Sequence, residues 1–446
     1  MWTGIIIFII TYLFIASEKI DKAIAAILGA SAMVVLGVAS FPAMLTKVDL
    51  NVLALLIGMM IIVNIMATTG VFEWIAVKIA RQTKGNGILV VIEFLLATAF
   101  VSAFMDNVTT VILMAPVTIL ITQLLRMPTV PILIMEAIFS NIGGTATLIG
   151  DPPNMLIGAT CGLSFNQFIL NMTPVIIIIS AVILGLVIFV MRKTLVTEKQ
   201  AMEAVMMTDS TRAILDPKCL RSSLIVFVLV LIGFFTGSIT HIEPGLIAIC
   251  GALLMSLICR VSLAHMLEKV EWTTIMFFCG LFMLIGALEL NGVFSKLGAS
   301  MVQLTQGNFT LTVMIILWGS AILSAIVDNI PLVIAMIPLI NSIIPVFARS
   351  MYGIEMPVDY LTQTGYVIPT EVAQHIREPL FWALALGACL GGNGSLIGAS
   401  ANVVICQIAR KNRYSMSFMQ FTRYGAPIML ISTAISSVYL YFRYIL

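Results

Sequence analysis

Residues 141–154 read NIGGTATLIGDPPN. This stretch carries three glycines, two prolines, two asparagines and one aspartate, although the chain on either side is almost continuously apolar. At membrane depth, backbone without helical hydrogen bonds survives only where protein or a water-filled cavity satisfies it. The stretch therefore predicts a membrane helix that is broken in its middle, with polar groups gathered at the break.

The whole chain has the composition of a helical membrane protein. Its 446 residues are 60% hydrophobic and 10% charged, against about 25% charged residues in ordinary soluble domains. Apolar runs of the roughly 17–25 residues that cross a bilayer recur along the sequence. We predict an all-α polytopic protein, embedded in the lipid of a prokaryotic inner or plasma membrane. The net charge of +2 and the lack of a basic tract with interleaved aromatics argue against nucleic-acid binding.

The sequence repeats itself at a shift of 222 residues, which becomes 248 after an insertion. The matched positions are glycine, proline, aspartate and asparagine, which chance rarely holds in one register. The matched pairs include Gly58 with Gly280, Asp106-Asn107 with Asp328-Asn329, Pro116 with Pro338, Gly143-Gly144 with Gly391-Gly392, and Asn154 with Asn402. We therefore predict two structural repeats.

The placement of basic residues predicts that the second repeat is inverted. Each repeat reads as five spans plus a re-entrant hairpin, giving about ten spans, two hairpins and two broken helices in all. An odd number of spans turns the second repeat upside down and leaves both termini outside. Under this arrangement 18 of the 23 Lys and Arg residues lie on the cytoplasmic side, as the positive-inside rule requires.

The predicted boundaries follow from the apolar runs and the repeat register. The first repeat covers 1–190, with spans 2–16, 22–39 and 50–69, a hairpin at 88–125, a broken helix at 131–160 and a span at 166–190. Residues 191–221 form a cytoplasmic linker. The second repeat covers 222–446, with spans 222–240, 244–259 and 272–290, a hairpin at 308–348, an outer loop at 349–379, a broken helix at 378–406 and a last span at 424–443.

Six acidic residues fall inside the predicted membrane segments, and no Lys or Arg is predicted to accompany them. They are Glu93, Asp106, Glu136, Asp151, Glu289 and Asp328. A charge at the bilayer centre costs about 2.5–3.5 kcal/mol even on a lenient insertion scale. The three glutamates are interpreted as interfacial acids that reach toward headgroups, and the three aspartates, in polar motifs, as functional groups.

The two hairpin tips carry the same dipeptide. FMDNVTTVILMAPV covers 104–117 and VDNIPLVIAMIPL covers 327–339. Aspartate and asparagine can cap a returning helix, and their oxygens can also bind a cation. Asp106, Asn107, Asp328 and Asn329 are therefore candidate Na⁺ ligands, with simple helix capping by the two aspartates as the alternative.

The second broken helix, GGNGSLIGASAN at 391–402, matches the first. Paired interruptions at matching places in two halves point to the midplane site of a transporter. Unwound carbonyls can bind Na⁺, and half-helix N-termini can face an anion. The copies differ at one acid, since Ala399 stands where the first copy has Asp151. The candidate binding residues are Asp106, Asn107, Thr109, Asn141, Gly143, Gly144, Asp151, Asn154, Asp328, Asn329, Asn393, Gly394 and Asn402.

Five motifs together resemble the ion transporter superfamily, which includes arsenite permeases, sodium/proton antiporters, divalent anion/sodium symporters and, most similar here, the P-protein type permeases. The motifs are DNVTT, NIGGTATLIGDPPN, VEWTTIMFF at 270–278, DNIP, and GACLGGNGSLIGASANVV at 387–404. The resemblance implies a scaffold domain, a transport domain, homodimers and elevator-type alternating access.

We predict a secondary active ion transporter driven by H⁺ or Na⁺, with the three aspartates as coupling groups and a bound Na⁺ or H⁺ as its only cofactor. The dicarboxylate branch of the superfamily carries Ser-Asn-Thr at its hairpin tips, whereas this chain carries Asp-Asn-Val and Asp-Asn-Ile. Aspartate repels a carboxylate unless a cation compensates, which disfavours dicarboxylates.

Two alternatives within transporters remain open. One is arsenite or antimonite efflux, for which Cys389 is a nearby thiol, and the other is transport of an anion such as chloride or a dicarboxylate. An enzyme is disfavoured, because the sequence shows isolated aspartates and neither a nucleophile–base pair nor a metal-binding motif.

Overall fold

The computed structural model describes residues 1–17, 19–197, 214–357, 360 and 366–446. The middle of the predicted linker, 198–213, lies outside the described residues. Parts of the predicted outer loop, 358–359 and 361–365, also lie outside them.

Helices make up most of the described chain. In the first half they are α1 (Trp2–Ser17), α2 (Lys22–Val35), α3 (Phe41–Leu45), α4 (Leu50–Thr68), α5 (Val71–Gln82), α6 (Gly87–Phe104), α7 (Asn107–Leu124), α8 (Thr129–Gly144), α9 (Pro152–Cys161) and α10 (Phe165–Met191). In the second half they are α11 (Pro217–Thr240), α12 (Pro244–Ile258), α13 (Leu263–Glu268), α14 (Trp272–Leu290), α15 (Val293–Leu304), α16 (Phe309–Ile326), α17 (Asn329–Tyr352), α18 (Glu378–Gly391), α19 (Ser400–Lys411) and α20 (Phe418–Leu440).

Four short elements complete this list. A helical turn (Thr370–Val372) and a π-helix (Ala373–Arg377) lead into α18, a 3₁₀ turn (Gly392–Gly394) follows α18, and a π-helix (Tyr441–Ile445) extends α20. Among the described residues, nine helices are long and apolar enough to cross a membrane. The chain is an all-α polytopic membrane protein, which confirms the fold class predicted from composition.

Several helix ends differ from the predicted segments: α17 runs on to Tyr352, α19 runs on to Lys411, and α20 begins at Phe418. Two further ends differ for a clear local reason. Helix α2 ends at Val35, before the chain turns through Gly37 with φ of +68°, a conformation that favours glycine. Helix α11 begins at Pro217, within the predicted linker, because the Asp216 side chain accepts hydrogen bonds from the first free backbone N–H groups.

Two crossings of small residues join the halves of the chain. A Cβ placed on Gly58 of α4 would lie 2.5 Å from the carbonyl carbon of Ala248 on α12, and one on Gly280 of α14 would lie 2.9 Å from the carbonyl carbon of Ala26 on α2. Glycine permits such close approach of membrane helices. The two crossings use positions related by the shift of 222. With α1 on α2 and α11 on α12, these helices form one packed unit, here called the frame.

The two helical hairpins and the two broken helices form a second packed unit, here called the core. Helix α6 packs on α8, and α16 packs on α18. The return helix of each hairpin crosses to the other half, since α7 packs on α19 and α17 packs on α9. Each hairpin tip thereby lies beside the break of both broken helices.

Candidate functional site

A cavity of about 640 Å³ lies between the frame and the core. Its apolar wall comes from α4 and α14, including Leu56, Met60 and Phe277. Its polar wall comes from the segment before α2 and the start of α2, the two hairpin tips, the starts of α9 and α14, and α19. The polar lining residues are Lys19, Asp21, Lys22, Asp106, Asn107, Asp151, Glu271, Thr273, Thr274, Asp328, Asn329, Ser400 and Gln407.

Asp151 lines this cavity, and its side chain is 1% exposed. It occupies the N-cap position of α9, yet its carboxyl makes no capping hydrogen bond. Pro152 and Pro153 have no N–H to donate, and the N–H of Asn154 donates to the backbone carbonyl of Asp151. Oδ1 accepts a hydrogen bond from Nδ2 of Asn107 at 3.2 Å. Oδ2 has no partner at hydrogen-bond geometry among the described residues, although the thiol of Cys389 and the amide of Asn329 lie near this carboxyl. A buried acceptor in this state calls for a proton or a cation.

A chain of amides connects the first hairpin tip to both broken helices. Nδ2 of Asn107 also donates to Oδ1 of Asn141 at 3.0 Å. Nδ2 of Asn141 donates in turn to Oδ1 of Asn393 at 2.9 Å and to Oδ1 of Asn402 at 3.0 Å. Asn141 therefore fixes the position of the two breaks relative to each other and to Asp151.

Asn154 and Asn402 hold the unwound backbone of the breaks. Nδ2 of Asn154 donates to the carbonyls of Gly144 and Thr147 at 3.3 and 2.8 Å. Nδ2 of Asn402 donates to the carbonyls of Gly392 and Ser395, both at 2.9 Å. The unwound carbonyls of the breaks were predicted to be able to bind Na⁺. These four carbonyls each accept a hydrogen bond from an asparagine side chain.

Asp106 both caps a helix and faces the cavity. Its Oδ1 accepts from the backbone N–H of Thr109 at 2.8 Å, and its Oδ2 accepts from Oγ1 of Thr109 at 2.6 Å. The capping alternative raised above is therefore part of its role. Each carboxylate oxygen has a second lone pair, so capping leaves Asp106 able to bind a cation from the cavity.

Asp328 is paired with a lysine. Its Oδ2 lies 2.6 Å from Nζ of Lys22 and accepts from Oγ of Ser400 at 3.0 Å. The prediction that no basic residue joins the membrane acids was wrong. Lys22 is in the first turn of α2, and its long side chain carries the ammonium group from the helix start into the cavity.

The remaining predicted residues line the breaks or lie behind them. Asn329 is buried, and neither its Nδ2 nor that of Asn393 has a hydrogen-bond partner among the described residues. Gly143 packs on the backbone of Ala99, and Gly144 closely approaches Gly150. Gly394 packs on Ala325 and Met429, away from the cavity. Of the predicted set, the cavity thus reaches the aspartates and the tip asparagines.

Sequence reasoning missed Glu271 and Ser400 as lining residues. Oγ1 of Thr274 donates to Oε2 of Glu271 at 3.1 Å. Burial, and then the charge of Asp106, raise the pKa of Glu271, which precedes α14. The VEWTTIMFF motif contained a signal for Glu271, because it puts an acid directly before a membrane helix.

The three glutamates were interpreted as interfacial, and one of them is not. Glu136 is 1% exposed and accepts a hydrogen bond from Oγ1 of Thr118 at 3.1 Å. Glu289 pairs with Lys47 at 3.0 Å. That pair lines a second cavity, of about 360 Å³, with residues of α9, α14 and α17.

Comparison with known proteins identifies the family. The sequence profile described as "Citrate transporter" matches residues 12–364. The chain belongs to the citrate transporter family. It is 39% identical to an uncharacterised transporter of Mycobacterium tuberculosis over 99% of this chain and 98% of that protein. It is 31% identical to an uncharacterised transporter of Synechocystis over 97% and 95%.

The human P protein is a further relative, 32% identical over 96% of this chain and 58% of the human protein. The resemblance to the ion transporter superfamily is therefore confirmed. Membership of the citrate transporter family, together with the multiple apolar helices, makes the chain a multi-span membrane transporter. Its mycobacterial and cyanobacterial relatives agree with residence in a prokaryotic plasma membrane.

Proposed function

We propose that this member of the citrate transporter family is a secondary active transporter driven by H⁺ or Na⁺, with Asp151 at the coupling site. The observation that carries the proposal is Asp151 itself, which lines the central cavity and has a buried Oδ2 without a hydrogen-bond partner among the described residues. Asp106 lines the same cavity on the first hairpin tip.

Coupling follows from two opposing effects on this carboxyl group. Burial favours its protonated form, and an arriving cation favours its ionised form. The cavity lining adds to the attraction, since it contains five carboxyl groups and two lysines. Because the net charge of the lining residues is negative, cations are concentrated at the site. The occupancy of Asp151 by H⁺ or Na⁺ then depends on the gradient of that cation across the membrane.

We propose elevator-type alternating access, in which the core moves against the frame. The large cavity opens beside Lys19 and Lys22, on the side predicted to be cytoplasmic. The smaller cavity contains the Lys47–Glu289 pair and lies between the same two units. In this arrangement the described conformation is open to the cytoplasm, and the Lys47–Glu289 pair closes the outer side.

A citrate-like carboxylate is the second candidate as cargo, and the family match favours it. Carboxylate substrates were disfavoured because no cation was expected beside the membrane acids. Lys22 supplies such a cation. The acids still outnumber the lysines, so such a substrate would enter with its charge partly neutralised by bound cations or protons. Arsenite is less supported, because Sγ of Cys389 is buried and lies 3.5 Å from Oδ1 of Asn154, behind the cavity wall.

The test is uptake by proteoliposomes under an imposed pH or Na⁺ gradient. Labelled citrate, succinate, arsenite and chloride are compared, each with and without an ionophore that collapses the gradient. We expect one substrate to accumulate only while a gradient persists, and Asp106→Asn to reduce that accumulation at least tenfold. If the uptake of every substrate were independent of both gradients, the proposed coupling would be refuted.

We also propose a homodimer, as the superfamily resemblance implies. Light scattering of the protein in lipid nanodiscs measures this directly. A mass of one chain at all protein concentrations would contradict it.

A further inference from the structure

We propose that Lys22 is a tethered cation, which fills the cation position at the second hairpin tip in the described conformation. The transporter then has a single exchangeable cation site, at Asp151 and Asp106. This inference rests on the proposed function. It assigns the exchangeable cation to Asp151 and Asp106, and not to Asp328.

The geometry at Asp328 is that of an occupied cation site. The carboxyl is 6% exposed and its Oδ2 lies 2.6 Å from Nζ of Lys22, at the distance of a charge-assisted hydrogen bond. Oγ of Ser400 donates to the same oxygen. The backbone N–H of Ile330 is 3.5 Å from Oδ1, too long to compete strongly.

The repeat partner of this arrangement lacks the lysine. At the shift of 222, Lys22 corresponds to Pro244, so the matching position of the other repeat offers no lysine to Asp106. The first tip has instead a second acid, Asp151, where the other repeat has Ala399. The two tips therefore differ by one lysine and one acid. Asp106 and Asp151 form a pair that attracts a cation from solution, whereas Asp328 and Lys22 neutralise each other.

Lys22 and Asp328 belong to different units. Lys22 is on α2 of the frame, and Asp328 is on the hairpin of the core. The pair is a direct ionic contact between the units that are proposed to move. Charged and titratable groups around Asp328 come from every neighbouring element, and they are Tyr12, Lys19, Asp21, Lys22, Asp106, Asp151 and Glu271.

The test counts bound cations without needing a substrate. Thermal unfolding of purified protein in detergent is measured across a grid of NaCl concentration, balanced with choline chloride, and pH. The slope of the stabilisation against the logarithm of Na⁺ or H⁺ activity gives the number of cations bound on folding. The proteins are wild type, Lys22→Gln, Asp328→Asn and the double variant, with Lys19→Gln as the control that removes a lysine from the same cavity.

We expect the slope of Lys22→Gln to exceed that of wild type by one cation, because Asp328 becomes available. Asp328→Asn and the double variant are expected to keep the wild-type slope, as is Lys19→Gln. A Lys22→Gln slope equal to wild type overturns the inference, and so does a slope that falls by one in Asp328→Asn.

Two features keep the test decisive. Gel filtration identifies any variant that misfolds, and Asp328→Asn still decides if Lys22→Gln does not fold. Failure of the proposed function appears separately, as uptake that is independent of gradients in the wild-type protein. At cation concentrations that saturate the sites, the difference in slope between variants gives the difference in the number of cations bound.

Discussion

At the scale of single residues, the site depends on polar groups that are buried and only partly satisfied. The three aspartates could be predicted from sequence, since acids at membrane depth are costly and these recur in polar motifs. Lys22 could not be predicted as their partner. It lies at the start of a span, where the positive-inside rule assigns lysines to the water, and only the folded structure shows that its long side chain brings the ammonium group to Asp328.

Asn141 provides the first test at this scale. Asn141→Ala leaves the buried oxygens of Asn393 and Asn402 without the donor that they share. An unpaired buried polar group costs about 1–3 kcal/mol, so the variant should unfold at a markedly lower temperature. The exposed Asn412→Ala, which removes only a local bond to the carbonyl of Ile408, serves as the control. Equal melting temperatures for the two variants would show that the amide chain is not structural.

At the scale of helices, the broken-helix motif could be predicted because glycine and proline mark it in both repeats. The structural role of its asparagines was not predicted. Asn154 and Asn402 stay predicted ion ligands, and in the structure their Nδ2 groups also donate to the carbonyls of the breaks. A side-chain amide can bind either a cation or a carbonyl, and sequence does not distinguish the two uses. Serines repeat the pattern, since Ser102 and Ser324 each donate to a carbonyl of the adjacent broken helix.

The glycine crossings of the frame provide a test at this scale. Gly58→Ala and Gly280→Ala both force a Cβ against a helix backbone, and overpacking of this kind costs about 1–3 kcal/mol. Gly185→Ala on α10 meets nothing within 4 Å and should be neutral or stabilising by up to about 1 kcal/mol. Thermal unfolding in detergent measures all three. Comparable stability of the three variants would contradict the close crossings.

At the scale of the whole molecule, two packed units enclose the central cavity. The fold class followed from composition, because apolar runs of membrane length admit no other structure for a chain of this kind. The pairing of hairpins with the broken helices of the opposite half did not follow, since it depends on contacts between residues far apart in sequence. The inverted arrangement of the repeats stays a prediction based on charge.

Labelling of single cysteines tests that arrangement. In a background without the native cysteines, Lys218→Cys and Glu355→Cys place thiols at exposed positions on opposite sides of the predicted membrane. A membrane-impermeant maleimide should label Glu355→Cys in intact cells and Lys218→Cys only in inside-out vesicles. Labelling of both positions from the same side would rule out the predicted inversion.

The coupling role of Asp151 is tested most directly by currents on solid-supported membranes after a jump in pH or Na⁺, in the presence of the transported substrate. Asp151→Asn keeps the acceptor for Asn107 and removes the charge. Glu93→Gln is the matched control, since it neutralises a half-buried membrane acid that does not line the cavity. We predict that Asp151→Asn abolishes the gradient-driven current and that Glu93→Gln retains it. A wild-type current in Asp151→Asn would contradict the account.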